Sequence, residues 1–150
     1  MKPHTLNEIK ISYEPNRASF DNLTIKDSKR AYEYLYPLFS EDIISLQEEF
    51  IVLYLNRGNK ILGYFKGFKG GNASVVCDIK IILSIALKGM ASSIILAHNH
   101  PSGQLIPSEP DKVLTRKVRK ACEALDLYLA DHIIVAPEGG YFSFADEGLL

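Results

Sequence analysis

The sequence predicts a mixed α/β domain, a curved sheet with helices on its flanks, on three observations. Six short runs that read as strands alternate with segments of helical period. Clusters of glycine, proline and asparagine separate them. The 150 residues match one ordinary domain with a single core.

The elements follow in order. Ile9 to Tyr13 alternates apolar and polar residues and reads as a short edge strand before the turn Glu14-Pro15-Asn16. Asp27 or Ser28 caps a helix running to about Phe39, with Ala31, Tyr34, Leu35 and Leu38 at helical spacing. Phe50 to Leu55 and Ile61 to Phe68 form a hairpin around Asn56-Arg57-Gly58-Asn59. Asp78 opens a buried helix that Gly89 closes after Lys88, and a strand follows from Ser93 to His98. Ser108-Glu109-Pro110-Asp111 starts another helix, with Leu114, Val118, Ala121 and Leu125 on one face. Asp131 to Ala136 and Tyr141 to Phe144 make the last pair of strands around Glu138-Gly139-Gly140. Residues 1–47 are expected to pack on the core as a flank, and residues 48–150 to form the domain proper.

Composition excludes several classes. With 47% hydrophobic and 23% charged residues, the chain is globular rather than disordered. Its longest apolar stretches are interrupted well short of the roughly 20 residues a membrane span needs, and Met1 to Lys10 lacks an apolar signal core, so a cytoplasmic protein is expected. Cys77 and Cys122 have no CxxC spacing and read as buried thiols. A net charge of −1 gives no overall pull toward nucleic acid. Lys112, Arg116, Lys117, Arg119 and Lys120 on one helix, and Lys66 and Lys69 on the hairpin, are local hints of phosphate contact, but a solvated face and a half-buried hairpin explain them better.

The chemistry gathers around His98-Asn99-His100. Strand alternation turns both histidines to one face, and two imidazoles with one open position suit a divalent metal that has a third protein ligand. Asp111 supplies that ligand if the Pro101 to Pro107 loop returns the chain to the strand end it left. Other metals such as iron accept the same set, and zinc suits a hydrolase. A carboxylate such as Glu48 can take a proton from water and pass it to a leaving amine. The Ser108 hydroxyl is a candidate donor to an oxyanion, although Ser-x-x-Asp is also a capping box. His132 lies outside the metal spacing and reads as structural; Asn99, Pro101 and Gly103 read as loop-shaping residues.

The pattern His98-x-His100-x7-Ser108-x2-Asp111 resembles the JAMM, or MPN-plus, metalloprotease motif. More narrowly, His98-Asn99-His100-Pro101-Ser102-Gly103, Leu114-Thr115-Arg116, Asp131-His132-Ile133-Ile134 and Glu147-Gly148-Leu149-Leu150 resemble the RadC family, over about Glu48 to the C-terminus. RadC proteins usually carry a longer N-terminal region with a helix-hairpin-helix-like segment, for which this chain is too short. The resemblance implies a JAB/MPN fold, related to cytidine deaminases, and one zinc ion per chain on His98, His100 and Asp111. The deaminase His-x-Glu and Pro-Cys-x-x-Cys signatures are missing.

The family's Glu-x-Phe pattern maps onto Glu48-Glu49-Phe50 and selects Glu48 for proton transfer, with Glu49 as the alternative if the register differs. Glu49 is expected beside Ile51, Leu53 and Leu55, within reach of solvent. The implied activity is that of a zinc metallopeptidase or isopeptidase acting on a protein or peptide. The family's traditional tie to DNA repair implies the alternative, a repair or nucleic-acid-binding accessory without peptidase activity; a metal-binding but idle scaffold is a third possibility.

Overall fold

The computed structural model describes residues 23–70 and 77–150; the expected strand at Ile9 to Tyr13 lies outside them. The first helix, α1 (Ser28–Leu35), is capped by Asp27, whose carboxylate accepts from the Arg30 amide at 2.7 Å. It stops short of Phe39 and tightens into a 3-10 turn at Tyr36–Leu38, because Pro37 has no N–H to donate. The hairpin strands are β1 (Glu49–Leu55) and β2 (Ile61–Lys69). Asn56 folds their turn, its side-chain oxygen accepting from the Gly58 and Lys60 amides, and Asn59 takes the left-handed conformation. Residues 23–25 pair with the start of β2 through a bridge between Thr24 and Lys60.

Helix α2 (Ile79–Lys88) is capped by Asp78. Gly89 ends it in a right-handed conformation, and the left-handed residue is the exposed Met90, at φ 53°. Strand β3 (Ser93–Asn99), helix α3 (Glu109–Ala124) and strand β4 (Tyr128–Val135) form a parallel crossover, and β5 (Tyr141–Ser143) returns antiparallel to β4. The sheet order is β2-β1-β3-β4-β5, with β1 antiparallel to both its neighbours. This is a mixed α+β fold. No helix among the described residues is long and apolar enough to cross a membrane.

Every residue of β1 and β3 is buried, as expected for strands covered on both faces. One face, with Ile51, Leu53, Ile95 and Ile133, packs against α1. The other, with Phe50, Val52, Leu96 and Leu129, packs against α2 and α3 through Ile82, Val118 and Cys122. Strand β4 begins three residues before the expected Asp131 and carries a bulge: Ile94 pairs with Leu129, but Ile95 pairs with Asp131. Inserting Ala130 reverses the alternation, so His132 lies opposite Leu96, on the α3 side of the sheet.

The N-terminal segment is tied down by polar as well as apolar contacts. Tyr32 stacks on Tyr141 with ring centroids 4.8 Å apart, and the Tyr36 hydroxyl donates to the Pro137 carbonyl at 2.6 Å. Glu49 corrects one expectation. Its side chain has no solvent exposure; it accepts from the Ser40 amide at 2.8 Å and the Ser40 hydroxyl at 2.9 Å, and pairs with Lys66 at 3.0 Å. Lys66 also donates to the Leu38 carbonyl, so its charge is spent on holding this segment and not on phosphate.

Burial opposes ionisation of Glu49, but the Ser40 amide, Lys66 and the Ser40 hydroxyl outweigh it and hold the carboxyl below its ordinary range. The ionised form is therefore favoured by folding, and that stabilisation is present at neutral pH and lost as the pH falls through the lowered value. Glu49→Gln should cost about 2–3 kcal/mol, at the low end for a broken buried pair because Lys66 keeps some contact with water. Urea unfolding at pH 7 measures the loss, and the gap between variant and wild type should narrow in acid.

Candidate metal centre

The parallel crossover brings a strand end and a helix start together. His98 is the penultimate residue of β3, and His100 continues the ladder, its amide donating to the Val135 carbonyl at 2.9 Å. The loop from Pro101 to Pro107 then delivers Asp111 in the first turn of α3. In open α/β sheets the carboxyl ends of parallel strands are where ligands gather, and here a helix N-terminus adds its partial positive charge.

The three side chains converge. His98 Nε2 lies 3.0 Å from His100 Nε2, and the Asp111 carboxylate spans both, one oxygen 3.3 Å from His98 Nε2 and the other 3.4 Å from His100 Nε2. All three offer ligand atoms within 4.8 Å of one another. A tetrahedral ion with ligand bonds of about 2.0–2.1 Å would separate its ligand atoms by about 3.3 Å, so the donor set fits such an ion. His100 is oriented from behind, because its Nδ1–H donates to the Gln104 carbonyl at 2.7 Å and leaves Nε2 facing the centre.

Electrostatics match this geometry. Burial works against the Asp111 carboxylate, yet His100, His98 and the Ser108 side chain hold it far below the ordinary carboxylate range. Burial likewise works against a charged His100, but Asp111, the Gln104 carbonyl and the charge of Glu48 raise it above the usual imidazole range. Cationic charge is favoured at this point in the metal-free chain.

Glu48 immediately precedes β1, and its carbonyl accepts from the Gly70 amide at 2.9 Å, so the hairpin pairing extends through it. By alternation it shares a face with Phe50, whose ring stacks 6.0 Å from that of His98. Asn99 fixes the segment that carries it. Pointing away from the two histidines, Asn99 accepts from the Glu49 amide at 2.7 Å and donates to the Ile44 and Gln47 carbonyls. Ser108 is the N-cap of α3: its hydroxyl oxygen accepts from the Asp111 amide at 3.2 Å while its own amide donates to the Asp111 carboxylate at 2.7 Å.

Sequence reasoning passed over two residues at this centre. His132, read as structural, places Nε2 2.9 Å from His98 Nδ1, and Thr115 bonds the other side of the His132 ring at 2.7 Å. Burial pushes His132 well below the usual imidazole range, so the ring is neutral. Its signals in the sequence are a histidine in a mostly apolar strand and its place in the family-like run Asp131-His132-Ile133-Ile134; the bulge that aims it is not visible there.

A curved mixed sheet with a two-histidine, one-carboxylate cluster at the β3–α3 junction defines a JAB/MPN-type domain. The chain belongs to the RadC-like JAB domain family, whose model matches residues 25–149 and so takes in α1. It is similar to proteins named UPF0758 protein. That of Porphyromonas gingivalis is 45% identical over 127 residues, 85% of this chain and 55% of the relative. That of Flavobacterium johnsoniae is 41% identical over 125 residues, 83% and 53%. That of Aquifex aeolicus is 40% identical over 128 residues, 85% and 53%. The chain thus spans about half the length of these relatives.

A metal-stripped preparation titrated with a divalent transition metal should take up one equivalent and release protons, with affinity falling as the pH drops below neutrality. His98→Ala and Asp111→Asn should each reduce uptake to the background of a chelator-treated control. Full occupancy in both variants, measured by elemental analysis after desalting, would sink the ligand assignment.

Proposed function

We propose that this protein is a zinc-dependent hydrolase of peptide or isopeptide bonds, with His98, His100 and Asp111 as the metal ligands, one zinc per chain. The convergence of two imidazole nitrogens and a carboxylate beside an open helix start carries the reading. Zinc bound there would acidify water and polarise a carbonyl oxygen. Two nitrogen ligands and one carboxylate leave a fourth position for water or substrate, as in other zinc hydrolases.

The remaining steps belong to side chains. Glu48 is the group that accepts a proton from the attacking water and returns it to the leaving amine; Glu49 is committed to Lys66 and Ser40 and is not free for the task. Ser108 uses its oxygen to cap α3, which leaves its hydroxyl hydrogen to donate to the oxyanion of a tetrahedral intermediate. One hydroxyl serves both roles because capping needs an acceptor and the oxyanion needs a donor.

The substrate is a protein or peptide. The accessory reading, nucleic-acid binding without hydrolysis, is weakened by Lys66, which is turned inward, and by Lys112 and Arg119, which pair with Glu109 and Glu123. The thiols of Cys77 and Cys122 are free, with burial pushing them up to about 12 and about 11, which suits a reducing cytoplasm.

Zinc-loaded wild type should cleave members of a fluorogenic peptide and isopeptide library. Glu48→Gln should keep its zinc and lose about 10²–10⁴-fold in rate. Cleavage that survives in Glu48→Gln would remove Glu48 from the mechanism. A zinc-loaded wild type that cuts nothing in the library would overturn the peptidase reading.

A further inference from the structure

We propose that His132 and Thr115 are positioning residues that fix the tautomer of His98, forming a buried hydrogen-bond relay that runs from the backbone of α3 to the face of the metal centre. The inference rests on the metal site proposed above, and it concerns residues outside the ligand motif.

The direction of every bond in the relay follows from its far end. Thr115 Oγ1 lies 2.7 Å from the Asp111 carbonyl oxygen and 2.7 Å from His132 Nδ1. A carbonyl only accepts, so the single hydroxyl hydrogen goes to Asp111; otherwise two acceptor oxygens would face each other at that distance. Thr115 must then accept from His132 Nδ1–H. A neutral imidazole carries one N–H, which leaves His132 Nε2 as a lone pair. That lone pair lies 2.9 Å from His98 Nδ1, so His98 donates there and carries its hydrogen on Nδ1. His98 Nε2 is left bare, facing His100 Nε2 and Asp111.

The surroundings lock the relay. The His132 ring has no solvent exposure, stacking on Phe144 at 4.8 Å and meeting Phe50 edge-on at 5.8 Å. Thr115 is buried as well, so water cannot substitute for either partner. The bulge at Ala130 places His132 on this face; with unbroken alternation it would point toward α1. The relay also begins on the carbonyl of Asp111, so the ligand that α3 contributes and the tautomer of the ligand that β3 contributes are set by the same helical turn.

Reversal of the relay has a definite consequence. With Thr115 unable to accept, His132 is free to carry its hydrogen on Nε2 and donate to His98 Nδ1, which forces the His98 hydrogen onto Nε2, where the metal must bind. Second-sphere partners of ligating histidines act in this way, and their loss typically weakens metal binding about 10–100-fold.

The test uses the full chain in metal-free and metal-loaded form. Long-range proton–nitrogen NMR of 15N-labelled protein reads the tautomers directly, zinc affinity is read by competition with a chromophoric chelator, and the visible spectrum of the cobalt-substituted protein reads ligand geometry. Wild type and Thr115→Ser should show His98 with its hydrogen on Nδ1. Thr115→Val should lose that preference, bind zinc about 10–100-fold more weakly and shift the cobalt spectrum. His132→Phe, which keeps the ring packing, should weaken zinc binding similarly. A loss confined to melting temperature, with affinity, spectrum and tautomer unchanged, would mean structural residues only and overturn the proposal. So would a wild type with its His98 hydrogen on Nε2. If wild type binds no zinc, the metal reading fails by itself; the tautomers of the metal-free protein still decide the relay, a Thr115→Val change supporting it and an unchanged pattern sinking it.

Discussion

A polar group without a partner in a dry interior costs about 1–3 kcal/mol, and β3, covered on both faces, ends in two polar residues in succession. His98 and Asn99 have almost no contact with water. Each needs partners from a different side of the sheet, and the elements that supply them are those that build the site. Asn99 takes the backbone of the segment before β1. His98 takes His132 from β4 and the Asp111 carboxylate from α3. The strand end thus fixes the distance between the centre and the segment bearing Glu48, which strand pairing alone would leave loosely set.

The division of labour between Glu48 and Glu49 follows from the same alternation. Neighbouring carboxylates on a strand point to opposite faces. Glu49 enters the α1 face, where a charge needs a partner, and Lys66 with Ser40 meets that need. Glu48 remains on the histidine face, close enough for its charge to act on His100. One ion pair both anchors the N-terminal segment and holds the neighbouring carboxylate away from the histidine face.

Much of this was legible in the sequence because it depends on local pattern. The strand and helix runs, the Asp78 and Ser108 caps, and the paired histidines at the end of an apolar run are all local signals. Where the reading of Glu49 and His132 fell short, the cause is a long-range contact. Solvent access for Glu49 followed from its position at a strand end, and Ser40 and Lys66 close that end from elsewhere in the chain. His132 was set aside on spacing, yet parallel pairing of β3 with β4 brings it beside His98. The start of β4 was read too late because the bulge at Ala130 breaks the period that reveals a strand.

Ser108 and Asp111 show why a structural and a chemical reading of one motif need not compete. In the capping box the Asp111 carboxylate accepts from the Ser108 amide, which fixes its rotamer at the helix start before any metal is present. The same carboxylate reaches the two imidazoles with its remaining lone pairs, and the helix N-terminus favours its negative charge. The cap therefore presets the carboxylate beside the two imidazoles, a preorganisation that a side chain on a free loop would lack. The Pro101 to Pro107 loop follows the same logic from the other side, since its Gln104 carbonyl orients His100. A helix start, a strand end and the loop between them thus hold the three candidate ligands by bonds made to one another.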